Sequence, residues 1–212
     1  MGLNSFQLKC IAITTMLIDH TGKVLFPGNM IFVYVGRIAF PIFCFLLVEG
    51  FFHTRDVYKY IVRLGVFALI SEVPFDLAFR QTLLEIKHQN VFFTLLLGML
   101  LMCALEKTSE LQIKAVEILL TMWAAEFLHV DYSYRGILLI IAYYFFRENE
   151  WLKLSVGVMW NFLRNRSSQM YGALAVVPIA MYNGERGPSV KYFFYVFYPT
   201  HLLVLYILKI YI

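Results

Sequence analysis

Residues 31–52 read IFVYVGRIAFPIFCFLLVEGFF, and across that whole run only Arg37 and Glu49 carry charge. A helix of about 20 apolar residues crosses the ~30 Å hydrocarbon core of a bilayer, so this stretch is long enough to span one. The same texture continues in both directions, with apolar stretches at 7–26, 57–79, 90–105, 112–129, 134–147, 151–163, 169–183 and 191–211. Of the 212 residues, 60% are hydrophobic, 17% aromatic and 15% charged, and the mean hydropathy is +0.69. A soluble domain carries ~25% charge, and a water-soluble chain of 24.8 kDa could not bury this much apolar surface. The composition therefore excludes a secreted module and a disordered chain. The excess of 18 Lys and Arg over 14 acids is too small and scattered for a phosphate-tracking, nucleic-acid-binding surface. The pattern predicts an all-α polytopic membrane protein, a bundle of about nine transmembrane helices (roughly eight to ten), some of them short or broken. Residues 1–212 read as a single integral-membrane domain. Nine such spans leave only ~32 positions for connections, so neighbouring helices must pack antiparallel.

The first eight residues carry too little charge, and no small-residue cleavage site, for a removable signal, so the first run reads as a retained span. The prefix MGLNSF has Phe6 where myristoylation wants Ser or Thr. Cys10, Cys44 and Cys103 lie in apolar runs with no CxxC or Cys/His spacing, and read as small buried hydrophobes; no disulfide and no metal site are expected. With the N-terminus cytoplasmic, Arg55, Lys59, Lys107, Lys114, Arg147, Lys153, Arg186 and Lys191 fall inside. Lys23, Arg80, Lys87, Arg135, Arg164 and Arg166 then fall outside, the distribution that positive-inside bias favours.

Ionisable groups within apolar runs are expensive to insert, at least ~2.5 kcal/mol each at mid-membrane, and mark function. They are Lys9, Asp19 and His20 on the first helix, Arg37 and Glu49 on the second, and Glu72 and Asp76 on the third. Lys9 and His20 are eleven residues apart, close to three turns, and so share a face about 16 Å apart. A cation and a titratable imidazole so arranged suit a long ligand with an anionic head and a reactive tip, the shape of coenzyme A. Alternatively, Lys9 snorkels to headgroups and His20 bonds a neighbour in the bundle. Arg37 stands four residues before Pro41, which should kink the helix and free a carbonyl. Its guanidinium needs an anionic ligand or one of Asp19, Glu49, Glu72 and Asp76. Glu72 and Asp76 flank Pro74, which predicts a broken helix whose carboxylates either line a cavity or serve Arg37. Gln89, Asn90 and Thr94 open the fourth span and could meet a ligand, with helix capping the other role for Asn90. Tyr198 and His201 flank Pro199 and could belong to the same cavity. His53 and His129 read as interfacial, and Tyr132 and Arg135 as headgroup contacts.

In order along the chain, LKCIAITTMLIDHTG, GRIAFPIFCFLLVEGFFHTRD, KYIVRLGVFALISEVPFDLAF, HQNVFFTLLLG, VDYSYRGIL, YNGERG and KYFFYVFYPTHLLVLY resemble the TraX family. That family is named for a conjugative-transfer protein that acetylates the N-terminus of pilin. It is similar in turn to the membrane acyltransferases that modify glycans, in which a basic residue, ten positions and a His mark the first helix. Lys9 and His20 match that pattern, with Lys where Arg is commoner, so a point charge replaces a bidentate phosphate contact. The resemblance implies acyl transfer from acetyl-CoA to an amine or hydroxyl of a protein N-terminus, a glycan or a small molecule. It implies His20 as general base or acetyl carrier and Arg37 near the donor or the developing oxyanion. Lys9, Arg37, Asn90, Tyr198 and His201 are the expected donor contacts, and Glu49, Glu72, Asp76, Gln89 and Thr94 the expected cavity wall. Asp19 could orient the His20 ring only if the helix end unwinds, because successive side chains point ~100° apart. Glu72 and Asp76 compete for that role. A bacterial inner-membrane location follows. The rival readings are a proton-coupled transporter, which intramembrane acids and His also build, and a non-catalytic assembly factor.

Overall fold

A computed structural model describes residues 2–163 and 167–211, and all its regular elements are helical. They are α1 (Ser5–Leu25), α2 (Met30–Gly36), α3 (Ala39–His53), α4 (Val57–Arg80), α5 (Val91–Lys107), α6 (Leu111–Phe127), α7 (Ser133–Phe145) and α8 (Glu150–Leu163). A 3₁₀ segment (Ser167–Ala175) leads into α9 (Val176–Ala180), and α10 (Lys191–Tyr211) ends the fold. Arg164 and Arg166 lie outside the described residues.

Each apolar run becomes helical, and polar residues set where the helices start. Asn4 and Gln7 form a reciprocal capping box at α1, while Asn29, Asp56 and Asn90 accept backbone N–H groups at the starts of α2, α4 and α5. α3 is the buried centre: ten of its fifteen residues, Phe40 through Val48 prominent among them, are shielded. It packs on α1, α5 and α7. α10 lies against α1 and α4. α6 buries only Ala125 and turns Leu119, Leu120, Trp123 and Phe127 outward. Two stretches, Met30–His53 and Tyr192–Tyr211, are long and apolar enough to cross a membrane by length and composition.

The two prolines expected to break or kink their helices behave differently. The second run breaks at Arg37 and Ile38, one turn before Pro41, because the carbonyl of Arg37 has no proline N–H to receive. Gly172 fits against that oxygen: a Cβ there would lie 3.0 Å from it and 2.1 Å from Asn161 Oδ1. Pro74, in contrast, does not break its helix. α4 continues from Val57 to Arg80, supported along its length by α5 and α10, so the expected gap between Glu72 and Asp76 is absent.

Candidate functional site

A cavity of about 680 Å³ follows one face of α1, within the ~300–1,000 Å³ of small-molecule sites. Ser5 and Lys9 line its entrance, and Met16, on the same face, lines its deep end. Lys9, Arg55, Lys59, Arg63 and Arg186 surround the mouth. Among the described residues, Lys9, Arg55, Arg63 and Arg186 form no ion pair, whereas Lys59 reaches Asp56 at 3.0 Å. Arg63 stands over the Tyr60 ring and within electrostatic range of Tyr195, both of which line the wall. Its Nε is buried without a partner. Glu49 and Asp56 both bring acids to this rim, Asp56 paired with Lys59 and Glu49 beside Tyr182. Below the rim the lining is apolar, from Leu46, Leu47 and Leu64 to Phe92, Leu95 and finally Tyr198.

Arg186 reaches the mouth because its loop is fastened to the start of α1. Leu3 N–H donates to Met181 O at 2.6 Å, Asn183 N–H to Leu3 O at 2.9 Å and Ser5 N–H to Glu185 O at 2.8 Å. Gly187 has φ +67°, and a Cβ there would meet the Asn4 side chain at 2.7 Å, so this turn requires glycine on two counts. Two cations, Lys9 and Arg186, are thereby held at one entrance.

His20 lies one turn beyond Met16 on α1. Its Nδ1 is 2.7 Å from Nε2 of His201, and the rings are coplanar within 5° with centroids 5.0 Å apart. That separation equals the N···N distance plus two ring radii, so the rings meet edge to edge through an in-plane hydrogen bond. His201 Nδ1 lies 2.8 Å from the Phe197 carbonyl, one turn back on α10. Phe79 and Tyr198 set their rings at steep angles to His20, at 5.1 and 6.0 Å. Tyr198 therefore lines the cavity and walls His20, whereas neither His20 nor His201 is among the residues lining that cavity.

The other expected site residues fall elsewhere. Asp19 does not reach the His20 ring; it pairs with Lys23 one turn on and packs against Gly36, where a Cβ would lie 2.0 Å from the Asp19 Cβ. The helix stays wound at this point, so the ~100° offset stands. Arg37, at the α2–α3 break, lies within electrostatic range of Tyr132, Asp19 and Asp131, not of Glu49, Glu72 or Asp76. Tyr132 stacks on Phe40 with centroids 3.5 Å apart, so it is an internal residue and not a headgroup contact. Its turn carries left-handed φ at His129, Tyr132 and Ser133, an arrangement non-glycine residues adopt only under tertiary constraint.

Glu72 and Asp76 neither orient His20 nor line the cavity. Glu72 accepts from the Asn90 backbone at 2.9 Å and from its side chain, and Asp76 accepts from Glu85 N–H at 2.7 Å. Asn90, fully buried, also caps α5 through Phe92 N–H and donates to the Ala68 carbonyl at 2.8 Å, which exhausts its polar atoms. Its expected contact with a donor is thus replaced by a scaffold role. Thr94 donates to the Asp131 carbonyl, and Gln89 to the Ile86 carbonyl at 2.9 Å. These groups tie the α4–α5 loop to the bundle. The rim residues Tyr60, Arg63, Tyr195 and Arg186 lie inside the segments that carry the family resemblance, but nothing in their local spacing marked them as cavity residues.

Comparison with known proteins gives a consistent assignment. A family model described as TraX protein matches residues 5–209. A probable fimbrial assembly protein FimC, serogroup H1, of Dichelobacter nodosus is 29% identical over 234 residues, covering 97% of this chain and 95% of that protein. An uncharacterized protein of Rickettsia prowazekii (strain Madrid E) is 31% identical over 91 residues, 43% of this chain and 33% of its own length. No solved structure matches the chain. A match that runs through α1 to α10, on a helical bundle with the expected order of segments, means that the chain belongs to the TraX family.

Proposed function

We propose that this protein is a membrane-embedded acyltransferase that moves an acetyl group from acetyl-CoA to an amine or hydroxyl of a membrane-borne or cell-surface acceptor. One observation carries the reading: a cavity with a cationic mouth and an apolar lining runs along α1 to Tyr198, whose ring stands between it and His20, the two ring centroids 6.0 Å apart. Lys9, Arg63 and Arg186 would hold the phosphates, and the apolar lining would accept the thin pantetheine arm. The width of exposed apolar surface, including Leu69, Ile70, Leu119, Trp123, Phe127 and Ile210, supports a multi-span membrane location with the chain's helices in lipid. The mouth residues Arg55, Lys59 and Arg186 belong to connections that positive-inside bias assigns to the cytoplasm, where acetyl-CoA is made. The fimbrial name of the Dichelobacter nodosus relative favours a protein N-terminus among the acceptors.

In this reading His20 acts as general base. It takes the proton from the acceptor as the acceptor's nitrogen or oxygen bonds to the acyl carbon. The C–S bond then breaks, and the departing thiolate receives that proton. The oxyanion formed between these events needs a donor, and one such donor in a dry site is worth ~3 kcal/mol. Arg37 could supply it only through movement at the α2–α3 break, because its present neighbours are Tyr132, Asp19 and Asp131. The test is purified protein in detergent with labelled acetyl-CoA, following thioester loss and label transfer. Turnover that vanishes in His20→Ala while the protein stays folded supports the assignment. Full turnover in that variant removes His20 from the chemistry.

A further inference from the structure

The hydrogen bonds around His20 form a one-way chain, and its direction has a chemical consequence. The carbonyl of Phe197 can only accept, so the proton between it and His201 sits on His201 Nδ1. A neutral His201 then presents a bare Nε2. That atom lies 2.7 Å from His20 Nδ1, so His20 must donate across the gap. With its proton committed to Nδ1, His20 keeps a lone pair at Nε2. The reverse arrangement would require His201 to be doubly protonated, and no carboxylate pairs with it among the described residues. The ring cannot swing freely either, because Phe79 and Tyr198 flank it.

We infer that His201 is the positioning residue of the site: it locks His20 in the Nδ1–H tautomer and makes Nε2 the atom that handles the acceptor's proton. The inference rests on the acyl-transfer reading for its use, although the tautomer itself does not depend on catalysis. It assigns to a neutral imidazole the orienting task usually performed by a carboxylate. It also accords with the placement of the acids: Asp19 packs against Gly36, and Glu72 and Asp76 accept from Asn90 and Glu85 of the α4–α5 connection. In water a histidine ring prefers its proton on Nε2, the opposite tautomer, which would leave a general base blocked at its working atom.

The experiment is ¹⁵N NMR of the detergent-solubilised protein with ring-labelled histidine. Only five histidines are present, so His20 is assigned by comparison with a His20→Gln sample. The expected wild-type signature is a protonated Nδ1 and a bare Nε2 on His20. In His201→Ala the proton should move to Nε2, and kcat should fall by on the order of 100-fold, the lower end of what general-base assistance provides, with KM for the donor retained. His201→Gln keeps a carbonyl oxygen that can accept from Nδ1, and should restore both the signature and most of the rate. A wild-type His20 protonated at Nε2, or an unchanged signature in His201→Ala, overturns the inference. The expected tautomer in a protein that transfers no acetyl group supports the pairing and refutes the proposed reaction instead.

Discussion

Asn90→Ala separates scaffold from ligand-binding roles at the start of α5. Asn90 is fully buried, and its side chain accepts from Phe92 N–H at 3.0 Å, donates to Ala68 O at 2.8 Å and donates to Glu72. Truncation removes an N-cap, worth ~1 kcal/mol. It also removes one of two donors to a shielded carboxylate, and a hydrogen bond to a charged group is worth ~1.5–3 kcal/mol. The Asn90 backbone N–H still reaches Glu72 at 2.9 Å, so the carboxylate is not orphaned and the lower end applies. The sum is about 2.5 kcal/mol, which lowers Tm by roughly 5–10 °C in a protein of this length. Cys44 is a built-in reporter, since its thiol is fully buried and becomes reactive only when the bundle opens. Thermal unfolding followed by thiol labelling in detergent, with donor binding measured below the transition, gives both quantities. An unchanged Tm together with lost donor binding would refute the scaffold argument. Asn90→Asp adds a sharper case: the cap survives, but two carboxylates now touch and cannot both ionise, so stability should fall as pH rises.

Gly36→Ala should destabilise the protein by about 1–3 kcal/mol, because the new methyl would fall 2.0 Å from the Asp19 Cβ and α2 must shift away from α1; an unaltered Tm would show that the contact is slack. Lys9→Met and Arg186→Met should each weaken acetyl-CoA binding, and the double variant should flatten its salt dependence, because mouth charges act through screened Coulomb attraction; donor titrations at two salt concentrations measure this, and unaltered affinity would move the phosphates elsewhere. At the other end of the ion-pair scale, the Lys59 backbone N–H, then its ammonium, hold the exposed Asp56 carboxyl below its ordinary value of 3.8. Its contribution is therefore complete above that pH and is lost as acid protonates it, so the stability difference between wild type and Asp56→Ala should shrink between pH 5 and pH 2 in acid-unfolding curves.

What was legible in the sequence was local. The apolar runs marked the helices because hydrophobic length and capping residues act within a few positions, and Asn4, Asn29, Asp56 and Asn90 stand where those helices start. The spacing of Lys9 and His20 placed them along one face because the 3.6-residue period is a property of the backbone, and the cavity follows that face from Lys9 to Met16. Pro41 marked the break at Arg37 for the same reason. Partners were another matter. His20 meets His201 across 181 residues, Glu72 meets Asn90 across 18, and α4 passes Pro74 unbroken. Which of several buried charges face one another depends on how whole helices rotate and pack. That choice is made by the close fit of α1 to α2 at Gly36 and of α10 to α4, contacts between segments that no local spacing encodes.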